Sequence, residues 1–144
     1  MSGLLSTVQS RAAKMSSAQL AGLVREVADT GEWPQLVHFS ADKRWYGRLD
    51  LTPSYEIWLL SWLPGQHTGF HDHGEANGAF AVVRGELQER LARPGSPDVR
   101  RRVARRGSVT AFGARHLHDV GNDCGAESKA PSSQPAMTSG TVWA

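Results

Sequence analysis

From Pro34 to Val120 the apolar and aromatic residues come in short runs, each interrupted by Gly, Pro, Asp or Ser. Runs this short, rich in Val, Leu, Trp, Tyr and Phe, predict successive β-strands rather than helices. Strands are expected around Trp45–Leu51, Glu56–Leu63, Ala79–Arg84, Glu86–Leu91, Val99–Arg105 and Ser108–Phe112, with one more near Val120. Gly85 separates two of them as a tight turn, and the run from Arg93 to Asp98 has the turn chemistry of a longer loop. Seven short strands close into a sandwich or a barrel. The first thirty residues follow a helical rule instead. Ser16 and Gln19 have capping-box spacing, Leu20, Leu23, Val24 and Val27 recur on one helical face, and Gly31 stops the helix.

A chain of 144 residues fits one domain, and 40% apolar residues can fill its core. No apolar run approaches the roughly 18–20 residues that span a membrane. Met1 to Ser17 lacks the apolar stretch of a signal peptide, and the single cysteine, Cys124, rules out an intrachain disulfide, so a cytoplasmic protein is expected. The formal charge of +2 gives no reason to invoke nucleic acid. Arg100, Arg101, Arg102, Arg105 and Arg106 crowd one segment, but no aromatic platform is interleaved with them, which predicts a solvated hairpin. From Ser128 the composition turns to Ser, Ala, Pro and Thr, with only Met137, Val142 and Trp143 to bury. The domain is therefore expected to occupy residues 1–127, with 128–144 a disordered tail.

His71 and His73 are two apart in a segment bounded by Pro64 and Gly74. On extended backbone such residues point to the same side, so both imidazoles can meet one ion. The pair needs a further donor, and His118 is the candidate. Imidazole suits iron, copper, nickel and zinc alike. His67 and His116 flank these residues and are expected as exposed loop histidines. Asp72 and Glu75 offer a carboxylate alternative.

These segments together resemble the two motifs of the cupin superfamily. Gly65, His71, His73 and Gly85 match the first motif, and Gly107, His118 and Asn122 match the second. Gly113 and Arg115 stand where the second motif usually has proline and glycine. Gly78 stands where the first motif usually has a metal-binding glutamate. A cupin that keeps three histidines and lacks that glutamate resembles the thiol dioxygenases, the family of cysteine dioxygenase. The approach Trp62-Leu63-Pro64-Gly65-Gln66, the hairpin Val83-Arg84-Gly85-Glu86-Leu87-Gln88-Glu89 and the run His118-Asp119-Val120-Gly121-Asn122 are similar to that family's, over roughly Tyr46 to Glu127.

The resemblance implies a mainly β fold, a small jelly-roll-like cupin β-barrel with N-terminal helices. It implies Fe(II) on His71, His73 and His118. Tyr46-Gly47-Arg48 falls on the family's Tyr-x-Arg, which implies a catalytic pair, Tyr46 and Arg48, with Arg48 on the substrate carboxylate. The implied partners are O2 and a small thiol, cysteine or 3-mercaptopropionate, converted to the sulfinic acid. Beyond Glu127 the family's His-x-Tyr strand has no counterpart, so a closing strand is expected to be missing, leaving a catalytically impaired metal-binding cupin as the alternative.

Overall fold

The computed structural model describes residues 14–31, 37–123 and 139–143. Helix α1 spans Ser17–Thr30. Its capping box forms as expected: Gln19 N donates to Ser16 Oγ at 3.1 Å, and Ser16 N donates to Gln19 Oε1 at 2.8 Å. Gly31 ends the helix at φ 72°, a conformation that costs glycine nothing. Residues 1–13, where further helix is expected, lie outside the described residues.

Among the described residues eight strands follow: β1 (Tyr46–Leu51), β2 (Glu56–Trp62), β3 (Gly78–Arg84), β4 (Glu86–Ala92), β5 (Val99–Arg105), β6 (Val109–Phe112), β7 (Leu117–Gly121) and β8 (Ser139–Trp143). They form two antiparallel sheets, one in the order β1-β2-β8-β3-β6 and the other β5-β4-β7. The ladder does not run continuously round a closed barrel. The sheets face each other, and short bridges, His67 to Gly121 and His71 to His118, tie the segment between β2 and β3 onto β7.

Alternation along the strands sorts side chains between two apolar layers. Trp62, Phe80, Val82, Leu87, Phe112, Val120 and Trp143 fill the space between the sheets. Ile57, Leu59, Ala79, Ala81 and Val142 point the other way and receive Leu20 and Val24 of α1. Covered on both faces, β3 reads as an unbroken apolar run. Burying Leu20 and Val24 contributes about 1.5–3 kcal/mol each, enough to hold a helix that is marginal alone.

Of the disordered tail expected over 128–144, residues 139–143 form a strand instead, and 128–138 lie outside the described residues. Residues 139–143 form β8, which fills the gap between β2 and β3 at the centre of the larger sheet. β8 thus pairs along both of its edges, so residues 139–143 belong to the sheet. Thr141 Oγ1 accepts Trp62 Nε1–H at 2.9 Å and Trp143 Nε1–H at 2.7 Å, so one hydroxyl satisfies two buried indoles. The Trp143 ring stacks on Phe80 with centroids 4.3 Å apart. Five residues with a weak pattern become a strand because two open sheet edges flank them, information that local composition does not carry.

Candidate metal centre

The fold brings His71, His73 and His118 together, with their ligating atoms all within 4.8 Å of one another. His71 lies on the segment after β2 and His118 on β7, and the two exchange backbone hydrogen bonds of 2.9 and 3.0 Å. His73 follows two residues on, and its Nε2 is 3.3 Å from His118 Nε2. Two nitrogens each roughly 2.1 Å from a single ion take such a separation.

The hydrogen bonds fix which nitrogen is free. His71 Nδ1 is 2.8 Å from the Gly69 carbonyl oxygen, which can only accept, so Nδ1 carries the proton and Nε2 keeps its lone pair. His118 Nδ1 is 2.6 Å from Glu89 Oε2, with the same consequence. A ligating imidazole is ordinarily held this way by a carboxylate or carbonyl on its far nitrogen. The donor set fits a divalent transition metal.

Glu89 organises the layer behind the ligands. Its carboxylate is buried and accepts from His118 Nδ1, from His116 Nε2 at 3.1 Å and from Arg102 Nε at 2.5 Å. Burial alone would raise its pKa, but the hydrogen bonds from His118, Arg102 and His116 prevail and hold it at about 2. Burial pushes His118 below the usual histidine range, against the pull of Glu89. Burial, with the neighbouring His71, His118 and His116 rings, holds His73 at about 4. Both rings are therefore neutral, the form that binds metal.

His116 is thus no exposed loop histidine: it stacks on Phe112 with centroids 5.0 Å apart and donates to Glu89. His67 is likewise engaged, 2.7 Å from Asp123 and packed under Gly121, where any Cβ would strike its ring. Arg90 bridges Asp119 and Asp123 beside it. Glu89 is not singled out by any motif in the sequence, and its one signal is its place inside an alternating strand: β4 buries Leu87 and Glu89 on the same face. The carboxylate alternatives are committed elsewhere. Glu75 pairs with Arg115 at 3.1 Å, and Asp72 accepts from Gly74 N at 2.9 Å.

Gly78 shows why the motif's glutamate is missing. A Cβ there would lie 2.3 Å from Phe112 Cζ, so the aromatic ring occupies the side-chain space. Phe112 in turn packs 5.0 Å from both His73 and His118, centroid to centroid. An apolar wall replaces a ligand.

His71 and His73 open onto a cavity of about 320 Å³ lined also by Arg44, Tyr46, Trp58, Leu60, Thr68 and Trp143. Tyr46 is among the lining residues. Arg48 is not among the lining residues: its guanidinium lies over the Trp58 ring at 5.7 Å and meets Glu56 at 3.5 Å, half exposed. Trp143, from the strand expected to be absent, supplies one wall.

Solved structures share this fold at low identity. The cupin 2 conserved barrel domain protein from Leptotrichia buccalis superposes with a TM-score of 0.56 at 16% identity, over 76% of this chain and 43% of that one. TT1209 from Thermus thermophilus gives 0.60 at 17% identity, over 78% and 93%. A protein with a double-stranded β-helix domain from Klebsiella pneumoniae gives 0.56 at 16%, over 76% and 81%. The chain thus spans less than half of the Leptotrichia protein and nearly all of the Thermus one. No curated protein sequence matches it significantly. The model of the family described as cysteine dioxygenase type I matches residues 5–133. Histidines, fold and family model agree: the chain belongs to the cysteine dioxygenase type I family.

Proposed function

We propose that this protein is an iron(II)-dependent thiol dioxygenase that converts cysteine, or a similar small thiol, to its sulfinic acid. One observation carries the reading: three imidazoles, those of His71, His73 and His118, converge with no carboxylate among them, and His71 and His73 open onto a cavity sized for a small molecule. Such a set leaves positions on the ion for substrate and dioxygen and leaves its full charge to be balanced by a thiolate. When bound, iron(II) supplies the acidity that turns a thiol into thiolate and the electrons that activate dioxygen.

The chain's own residues do the rest. Gly69 and Glu89 hold the His71 and His118 rings in the ligating tautomer. Phe112, Trp143, Trp58 and Leu60 make the surroundings apolar and limit water around the sulfur. Tyr46 borders the cavity, where its hydroxyl can orient the bound thiol. The thiol gains both oxygen atoms of one O2, sulfur loses four electrons to them, and the S–H proton leaves with the acid, so the overall reaction needs no further reductant. Among the described residues no helix is long and apolar enough to cross a membrane, and we place the reaction in the cytosol, where thiols stay reduced.

The test is anaerobic loading with iron(II), then oxygen uptake and sulfinate detection with cysteine and with 3-mercaptopropionate. Stoichiometric sulfinate that disappears in His118→Ala supports the proposal. Iron held without oxygen uptake refutes it in favour of a non-catalytic metal-binding cupin.

A further inference from the structure

Resting on the thiol dioxygenase reading for the sulfur end of the substrate, we propose that Arg44, rather than Arg48, binds the anionic end. Arg44 is the sole formally charged side chain of fixed sign among the residues lining the cavity that His71 and His73 share. Its guanidinium sits 4.9 Å above the Trp62 ring, and Nη1 donates to the His67 carbonyl oxygen at 3.2 Å, so the side chain is fixed from two directions. Its Nε is buried and finds no hydrogen-bond partner among the described residues, a state it shares only with Ser108 Oγ. Burial pushes its pKa down, as for a cation short of compensating charge.

A half-buried cation is costly, and an anion arriving in the cavity offsets that cost. The paired Nη–H groups at the end of a guanidinium offer two parallel donors that a carboxylate accepts, and Arg44 lines the cavity. Among the described residues no acidic side chain lines the cavity to compete for them. Arg48 lacks these features: it is half exposed, already meets Glu56, lies over the Trp58 ring and is not among the residues lining the cavity. The inferred ligand class is therefore a small thiol bearing a carboxylate, its sulfur toward the histidines and its carboxylate on Arg44.

The experiment compares wild type with Arg44→Gln, Arg44→Lys and Arg48→Gln, using 3-mercaptopropionate and the uncharged 2-mercaptoethanol as probes. Binding is followed by tryptophan fluorescence of the metal-free protein, since Trp58 and Trp143 line the cavity and Trp62 lies under Arg44; KM and kcat are measured on the iron-loaded form. Arg44→Gln is expected to weaken 3-mercaptopropionate at least tenfold in both binding and KM while leaving 2-mercaptoethanol within twofold. Arg48→Gln is expected to leave both thiols within twofold. Equal losses on the two thiols in Arg44→Gln, or a carboxylate-selective loss in Arg48→Gln, overturn the inference. If Arg44→Gln does not fold, Arg44→Lys decides: it keeps the charge but loses the planar fork, so a selective loss of several-fold is expected, and none overturns it. Absence of turnover with every thiol would refute the dioxygenase reading, whereas the fluorescence comparison judges Arg44 by itself.

Discussion

Substituting Glu89 by glutamine should weaken both folding and metal binding, because one buried carboxylate serves three donors. Glu89 is 1% exposed, and His118, whose Nδ1–H it accepts at 2.6 Å, is fully buried. The amide keeps one acceptor oxygen but turns an NH2 group toward N–H donors. Leaving the His118 donor without its charged acceptor costs about 1–3 kcal/mol. His116 and Arg102 are partly exposed and can recruit water, so they add less, and the total is about 2–3 kcal/mol. A carboxylate behind a ligating histidine typically sustains about 10–100-fold in metal affinity. Urea unfolding of the metal-free protein reads the first figure, and competition with a chelator reads the second. The pH dependence gives a separate check. Glu89 is held at about 2 in the fold against 4.5 ordinarily, so its contribution is fully present above pH 4.5 and is lost as pH falls toward about 2. The stability gap between wild type and Glu89→Gln should close across that window. A gap that is absent at neutral pH, or that stays constant down to pH 2.5, refutes the reasoning, as would Arg102→Gln costing as much as Glu89→Gln.

Gly78→Ala places a methyl group 2.3 Å from Phe112 Cζ and should cost about 1–3 kcal/mol by overpacking, seen as a lower urea midpoint and, because Phe112 packs on His73 and His118, weaker metal binding. Thr141→Val removes the acceptor for Trp62 and Trp143 and should cost about 1–3 kcal/mol, whereas deleting residues 139–144 should unfold the protein, measured by circular dichroism. His73, held at about 4 against 6.5 ordinarily, takes up its proton first in the unfolded chain; the metal-free protein should therefore lose stability as pH falls from about 6.5 to about 4, and His73→Asn should flatten that slope.

The strands were legible where punctuation and alternation agree, as in β2 with Leu59 against α1 and Trp62 inward. The ligands were legible because a two-residue spacing on extended backbone has a geometric meaning that survives without the rest of the fold. Glu89 was not: a glutamate in a strand is ordinarily solvated, and only the approach of β7 and β5 from either side turns it into a buried acceptor. β8 was hidden for a related reason, since its stability comes from the edges of β2 and β3 and from Thr141 serving two indoles. Arg44 and Arg48 lie in one short stretch with equal chemistry. The Tyr-x-Arg spacing singles out Arg48, whereas in the fold Arg44 lies over Trp62 and lines the cavity and Arg48 lies over Trp58 outside that lining, a difference set by tertiary packing.

The measurement that bears most directly on the account follows the oxygen atoms themselves. Iron(II)-loaded protein is supplied with isotopically labelled dioxygen and a carboxylate-bearing thiol, and the product is examined by mass spectrometry. The account predicts a sulfinic acid in which both oxygen atoms carry the label, formed one for one with O2 consumed and absent in His71→Ala, His73→Ala and His118→Ala. Disulfide as the only product, or sulfinate carrying oxygen from water, would contradict it.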